Sequence, residues 1–180
     1  MDNFQISEFS VGDWETYKAV RLESLRDSPD SFGSTFKRES EFTEKEWKSR
    51  LMPSTDSVYV LPLVAVSNGK PLGLATGAVH SQEESVAHVY QMWVSKSHRG
   101  LGIGKALLKR IEVWAIELHL KSLLLAVTTS NKEAMSLYQS TGFVPSGALY
   151  PLRDGSELLV QPMALELSNA YKAQPVRDAE

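Results

Sequence analysis

Cysteine is absent from the 180-residue sequence. That one absence removes disulfides, thiolate metal sites and a cysteine nucleophile together. A surplus of either charge is also lacking: 19 Lys and Arg stand against 22 Asp and Glu, a formal net charge of -3. A dedicated nucleic-acid binder normally carries a basic excess, so no nucleic-acid partner is expected. Long apolar runs are missing too. The longest, Val58 to Val66, is interrupted by Pro62 and falls far short of the ~20 residues that a membrane-spanning helix needs. Nor does the start, Met1 to Glu8, show the basic head and apolar stretch of a signal peptide. The expectation is a cytoplasmic protein with no membrane partner. With 42% hydrophobic residues, the chain has material for one sizeable core. A single domain is expected over residues 1–168, followed by a polar tail over 169–180.

What is present is a change of period along the chain. Phe4 to Phe9 alternates apolar and polar residues as a strand does. Ser10 or Asp13 then opens a helix carrying Trp14, Tyr17, Leu22 and Leu25, which the Ser28-Pro29 step ends. Thr43 with Glu46 has the form of a capping box ahead of a short helix through Trp47 and Leu51. Runs 57–66 and 71–79 predict a hairpin, because Asn68-Gly69 between them supplies the two positive-φ residues of a tight turn. Val86–Val94 adds a third strand to the meander. From Gly102 onward Ile103, Leu107, Ile111, Trp114 and Leu118 recur at helical spacing. Ser122 to Val127 is continuously apolar after its first residue and predicts a strand buried on both faces. Ser130 with Glu133 predicts the capping box of a further helix, closed by Gly142. Runs Phe143–Leu149 and Leu158–Leu167 predict a terminal hairpin about Arg153-Asp154-Gly155. This order is α+β, or mixed α/β, and not a fully parallel doubly wound sheet.

The most informative segment is Val94 to Lys105, V-S-K-S-H-R-G-L-G-I-G-K, between a strand and the amphipathic helix. Glycines let the backbone turn tightly and approach a ligand, while the first helical N–H groups point outward unpaired. Such an end is an anion site, and Lys96, His98, Arg99, Lys105, Lys109 and Arg110 place positive charge nearby in sequence. Two familiar phosphate loops fail on spacing. A Walker loop would need Gly at Arg99 and Ser or Thr at Ala106, and a dinucleotide fingerprint would need Gly at Lys105 or Leu107. Ser67-x-x-Lys70 matches a serine–lysine pair only in letters, since it sits on the hairpin turn.

Arg99-x-x-Gly102-x-Gly104 resembles the R-x-x-G-x-G/A signature of the GNAT superfamily of acyl-CoA-dependent N-acetyltransferases. The likeness continues in register through Met92-Trp93-Val94 before the loop and Ala106-Leu107-Leu108 after it. It resumes at Asn131-x-x-Ala134-x-x-x-Tyr138-x-x-x-Gly142-Phe143, similar to the family's N-x-x-A-x-x-L-Y-x-x-x-G-F segment. Asp27 to Ser34 looks like one bacterial branch of the family, and Lys96 departs from it where many members have Pro. The resemblance implies a central, mostly antiparallel twisted sheet flanked by helices and splayed between its fourth and fifth strands. It also implies acetyl-CoA as cosubstrate and transfer of the acetyl group to a primary amine of a small molecule or peptide.

By that resemblance the backbone of Arg99, Gly100, Leu101, Gly102, Ile103, Gly104 and Lys105 cradles the pyrophosphate. The pantetheine arm lies along Met92 and Val94, with Ala134 at the cofactor and Asn131 reaching the arm, capping the helix beside Ser130, or doing both. Tyr138 is then the acid that protonates the departing thiolate, or a core aromatic beside Ala134. An amine with a pKa of ~10.4 is costly to deprotonate at neutral pH, so a base is called for. Histidine ionises in the useful range. His88 takes a place where relatives often carry Glu, and even spacing predicts that it shares a face with Met92 and Val94. It is either that base or a histidine satisfied by hydrogen bonds under the sheet. Glu39, Glu83 and Glu84 are the fallback candidates, and a water chain with no single base is the remaining alternative. Phe32, Phe36 and Tyr150 either line the acceptor groove or pack as core aromatics. No H-E-x-x-H or similar metal spacing occurs. A non-catalytic acyl-CoA-binding sensor is the alternative reading, and the acceptor's identity and any homodimer are left open.

Overall fold

In the computed structural model, residues 3–54, 57–83 and 85–167 are described, so the tail expected over 169–180 lies outside them, as does Glu84. The chain runs β1 (Gln5–Glu8), α1 (Trp14–Asp27), α2 (Phe36–Ser40), α3 (Glu44–Ser49), β2 (Val58–Ser67), β3 (Lys70–His80), β4 (Val86–Val94), α4 (Ile103–Glu117), β5 (Ser122–Thr128), α5 (Lys132–Ser140), β6 (Val144–Pro145), β7 (Tyr150–Pro151) and β8 (Leu159–Glu166). The strands form one eight-stranded sheet in the order β1-β2-β3-β4-β5-β8-β6, with β7 also on β8. Every pairing is antiparallel except β4 with β5. That is the mixed α/β architecture expected.

The local signals have direct causes. Asn68 (φ 49°) and Gly69 (φ 73°) form the hairpin turn between β2 and β3. The Thr43 hydroxyl accepts from the Glu46 amide and the Glu46 carboxylate from the Thr43 amide, a reciprocal box that starts α3. At α5 the Ser130–Glu133 box does not form: Asn131, the other candidate, takes the cap, and its side chain accepts from the Ala134 amide. The run 143–149 is also corrected, because only Val144–Pro145 pairs as a strand before the chain turns to β7. Pro145 and Gly147 (φ 83°) fall within the run and deny it a longer ladder.

The sheet carries two cores. On one face α4 and α5 pack Leu107, Ile111 and Tyr138 against Leu63, Ala87, Val89 and Leu123. On the other, α1, α3 and the segment after α1 pack Tyr17, Leu25, Trp47 and Phe32 against Val64, Leu74 and Trp93. A bulge in β4 connects the two. Thr76 pairs with Tyr90 but Leu74 with Trp93, so three steps along β4 oppose two along β3, and Gln91 takes a positive φ of 57°. The extra residue reverses the alternation. Ala87 and Val89 therefore share the α4 face with Met92 and Val94, while Trp93 falls on the α1 face.

The parallel pair is short. β4 and β5 meet at Val86–Ser122, Ala87–Leu123 and His88–Leu124, and that register goes no further although β4 continues to Val94 and β5 to Thr128. The sheet is splayed there, as expected between its fourth and fifth strands. The splay also corrects the reading of β5. Leu123, Leu125 and Val127 are buried, but Ala126 is exposed because its face opens on the gap.

Candidate active site

The gap between β4 and β5 is a cleft of about 680 Å³. One lip is Met92, Trp93 and Val94, the other Ala126, Val127 and Thr128, and the start of α4 stands at the mouth. Gly100 (φ 77°) and Gly102 (φ 84°) hold left-handed conformations that fold the chain back from β4 into the helix. The first intrahelical bond of α4 runs from the Ala106 amide to the Gly102 carbonyl. The amides of Ile103, Gly104 and Lys105 therefore have no acceptor within the helix, and Gly102 brings no side chain to cap them. A Cβ on Gly104 would lie 2.9 Å from Leu137 Cδ2 and 3.3 Å from Met92 Cε, so the helix start is seated directly against α5 and β4. Outward amides at the positive end of a helix dipole, beside Lys105 and His98, make a place for a phosphate group.

The cationic cluster is thinner than the sequence spacing implied. Lys109 pairs with Glu112 (3.0 Å) and Arg110 with Glu8 (2.6 Å). Arg99 lines the cleft, but its guanidinium is engaged by the protein itself at the surface: Nε donates to the Val94 carbonyl (3.0 Å) and Nη2 to Asp27 Oδ2 (2.8 Å). Leu101 is 55% exposed and is not among the cleft's lining residues, unlike Gly100, Gly102, Ile103, Gly104 and Lys105.

Deeper in the cleft are Asn131, Ala134 and Tyr138. The Asn131 side chain is occupied at both ends, since Oδ1 caps α5 and Nδ2 donates to Ser31 Oγ (3.2 Å). Tyr138 is 6% exposed and packs on Phe143, with ring centroids 6.0 Å apart. Burial pushes its phenol well above the usual tyrosine value of 10, so the oxygen keeps its proton at any working pH. A buried, protonated hydroxyl in such a cleft can donate a proton but will not act as a base.

The bulge at Gln91 overturns one expectation about His88. Even spacing predicts a face shared with Met92 and Val94, but the extra residue puts His88 and Tyr90 on the opposite, α1 face. His88 belongs to the last β4–β5 pair before the strands part, at the apex of the splay. Its Nε2 contacts the Glu83 carboxylate, its ring stacks on Tyr90 (centroids 5.6 Å, planes 4° apart), and its edge meets His80 at 5.3 Å. It does not line the cleft that Tyr138 lines.

Of the three aromatics considered for an acceptor groove, Phe32 is a core residue beneath Arg21. Phe36 packs under Arg26, with the guanidinium 4.5 Å above its ring. Neither reaches the cleft. Tyr150 is half exposed and lies close enough to Tyr90 for its charge to raise that phenol, after burial and Glu83. Glu39 is ruled out as a base in the cleft, being buried between Arg21 (2.8 Å) and Arg50 (3.0 Å). Ser28, Ser31, Trp93 and Thr128 line the cleft and were not singled out from sequence. Ser28 and Ser31 fall inside the Asp27–Ser34 motif and Trp93 inside Met92-Trp93-Val94, whereas Thr128 carries no such signal.

A sheet that parts between two parallel strands, over a helix start with free amides, defines a fold that accepts an extended cofactor ending in phosphates. The chain belongs to the acetyltransferase (GNAT) family, whose description matches residues 21–143. That family uses acetyl-CoA. The N-acetylaspartate synthetase of Xenopus tropicalis is 35% identical over 86 residues, which are 48% of this chain. The match spans only 31% of that relative's own length. Among solved structures, an acetyltransferase of the GNAT family from Streptococcus pneumoniae superposes with a TM-score of 0.75 at 24% identity, covering 92% of this chain and 99% of that one. An acetyltransferase from Salmonella typhimurium, solved with acetyl-CoA, has a TM-score of 0.71 at 18% identity and covers 96% and 98%. At these identities the structural likeness speaks for the fold.

Proposed function

We propose that this chain is an N-acetyltransferase that moves an acetyl group from acetyl-CoA to a primary amine of a small molecule or peptide. Attack is direct, within a ternary complex, since there is no cysteine to carry the acetyl group between them. The observation that carries the reading is the splay of β4 from β5 with Tyr138 inside it and the free amides of α4 at its mouth. The residues fit the donor: the 99–105 backbone offers amides to a pyrophosphate, and the lip at Met92 and Val94 offers a strand edge to an amide-bearing arm. Acetyl-CoA supplies the activated acyl group when bound.

The chain's own contribution is proton handling and placement. As the amine nitrogen bonds to the acyl carbon, the carbon–sulfur bond breaks and the sulfur takes a proton from Tyr138. The nitrogen loses its proton on the other side of the sheet, where His88 and Glu83 stand at the apex of the splay. Acid and base thus stand on opposite faces of the sheet, Tyr138 in the cleft and His88 at the apex of the splay. A binding-only sensor would have no use for a buried phenol in the cleft, and Tyr138 therefore favours the enzyme. A cytoplasmic site of action goes with the cysteine-free composition, and cell fractionation tests it.

The test has two parts. Thermal shifts are measured with acetyl-CoA, free CoA and ATP, and CoA release is then followed over a panel of amines, amino acids and peptides. Stabilisation by both CoA species and release with at least one amine are expected. No shift with either CoA species would sink the reading, and a shift without release on any amine would leave only the sensor.

A further inference from the structure

The last residue of α1 and the turn after it, residues 27–32, take no step in the reading above, yet they touch both lips of the cleft. On the β4 side, Asp27 Oδ2 accepts from the Trp93 indole (2.9 Å) and from Arg99 Nη2 (2.8 Å). The same guanidinium holds the Val94 carbonyl through Nε, so one carboxylate fixes the end of β4 and the turn into the glycine loop. On the β5 side, Thr128 Oγ1 donates to the Asp30 carbonyl (2.7 Å) and Asn131 Nδ2 to Ser31 Oγ (3.2 Å). Arg153 steadies the middle by donating to the carbonyls of Pro29 (3.2 Å) and Phe32 (3.0 Å). The β4–β5 ladder ends at His88–Leu124, so these side-chain contacts join the lips where strand pairing does not.

We propose that residues 27–32 are a tie bar across the mouth of the cleft, with Asp27 and Thr128 as positioning residues that set the distance between its lips. The segment suits the task. Pro29 opens a single 3-10 turn, Pro29–Ser31, which shortens and stiffens the span. The anchors are also unequal in kind: a charged one grips the glycine loop, and a neutral hydroxyl grips β5. Hydrogen bonds from Trp93 and Ser28 and the charge of Arg99 outweigh burial and keep the Asp27 carboxyl ionised below its usual 3.8. In the acetyltransferase reading, on which this consequence rests, the tie bar holds the cleft at the width of the donor's arm.

The experiment separates the tie bar from that reading by using the unliganded chain first. Amide hydrogen exchange is measured on the wild type, Asp27→Ala, Thr128→Val and Thr128→Ser. Loss of either anchor is expected to speed exchange about tenfold in both lips, residues 93–100 and 126–131, while Thr128→Ser keeps the hydroxyl and the wild-type pattern. Acceleration confined to the lip that lost its own contact overturns the proposal. Calorimetric titration with free CoA follows. Each anchor variant is expected to weaken CoA five- to tenfold, about as much as the double variant, because a bar cut at one end is already slack. Losses that multiply in the double variant overturn it as well. If Asp27→Ala does not fold, the Thr128→Val and Thr128→Ser pair decides by the same exchange criterion. A wild type that ignores CoA would sink the acetyltransferase reading, while the exchange data would still judge the tie bar.

Discussion

Tyr138 lines the cleft and His88 stands at its apex on the other face of the sheet, and each reached its place for a different reason. Tyr138 lies on α5 four residues after Ala134, a spacing that any helix presents on one face, so its position in the cleft was legible in the sequence. Its burial holds the phenol protonated. Tyr138→Phe is expected to lower the rate of CoA release about 100-fold while leaving the affinity for CoA unchanged, as steady-state kinetics and titration calorimetry will measure. Equal rates for both proteins at every pH would remove the acid from the mechanism. His88 was placed on the wrong face by the even-spacing rule, because a bulge adds a residue to one strand without any local signature in V-Y-Q-M-W. Gln91 adopts its positive φ with its side chain accepting from the Tyr17 hydroxyl (2.8 Å), a partner 74 residues away.

At the scale of elements, the glycine loop and α4 show how much a short motif can specify. Gly102 needs φ 84° and meets no atom within 4 Å of an added Cβ, so Gly102→Ala introduces backbone strain and no clash. About 1–2 kcal/mol of stability is expected to go, read from urea unfolding, together with part of the affinity for CoA as the amides turn away. Gly104 is the reverse case. Its added Cβ would press on Leu137 Cδ2 and Met92 Cε, the ends of flexible side chains that can move aside. Gly104→Ala is therefore expected to fold with a smaller loss than Gly102→Ala, and a larger loss would contradict this account of the helix start. β5 was read less well. Its apolar run is the pattern of a strand covered on both faces, yet Ala126 is bare because β4 has already turned away beside it.

The whole molecule is held together by more than its two apolar cores. Arg21 is 3% exposed and Glu39 1%, joined by two hydrogen bonds of 3.0 and 2.8 Å that bind α1 to α2, with Arg50 as a third member. Burial alone would raise the Glu39 carboxyl, but the hydrogen bond and charge of Arg21 and the charge of Arg50 hold it below its usual 4.5. A carboxylate lowered on folding stabilises the native state in full above its unfolded value and loses that contribution as the pH falls through the folded value. Acid unfolding is accordingly expected to begin below about pH 4.5, with Asp27 adding to the same limb. Glu39→Gln is expected to lower stability at pH 7 by about 3–5 kcal/mol, because it strands the buried Arg21 charge, and to flatten the acid limb. Chemical denaturation of both proteins from pH 3 to 7 checks the two effects together.

The sequence by itself determined β1 and α1, the β2–β4 meander, the glycine loop that starts α4, the Gly142 end of α5 and the absence of a cysteine relay. All of these follow from local periodicity, backbone freedom and residue chemistry. Only the tertiary structure decided that the strands part after His88–Leu124, which face His88 takes, and that Arg99 braces the loop through Val94 and Asp27. It also decided that the segment after α1 reaches both lips of the cleft. Those outcomes depend on register, on a bulge and on partners about 70 to 100 residues apart, and such long-range choices leave no periodic trace in the chain.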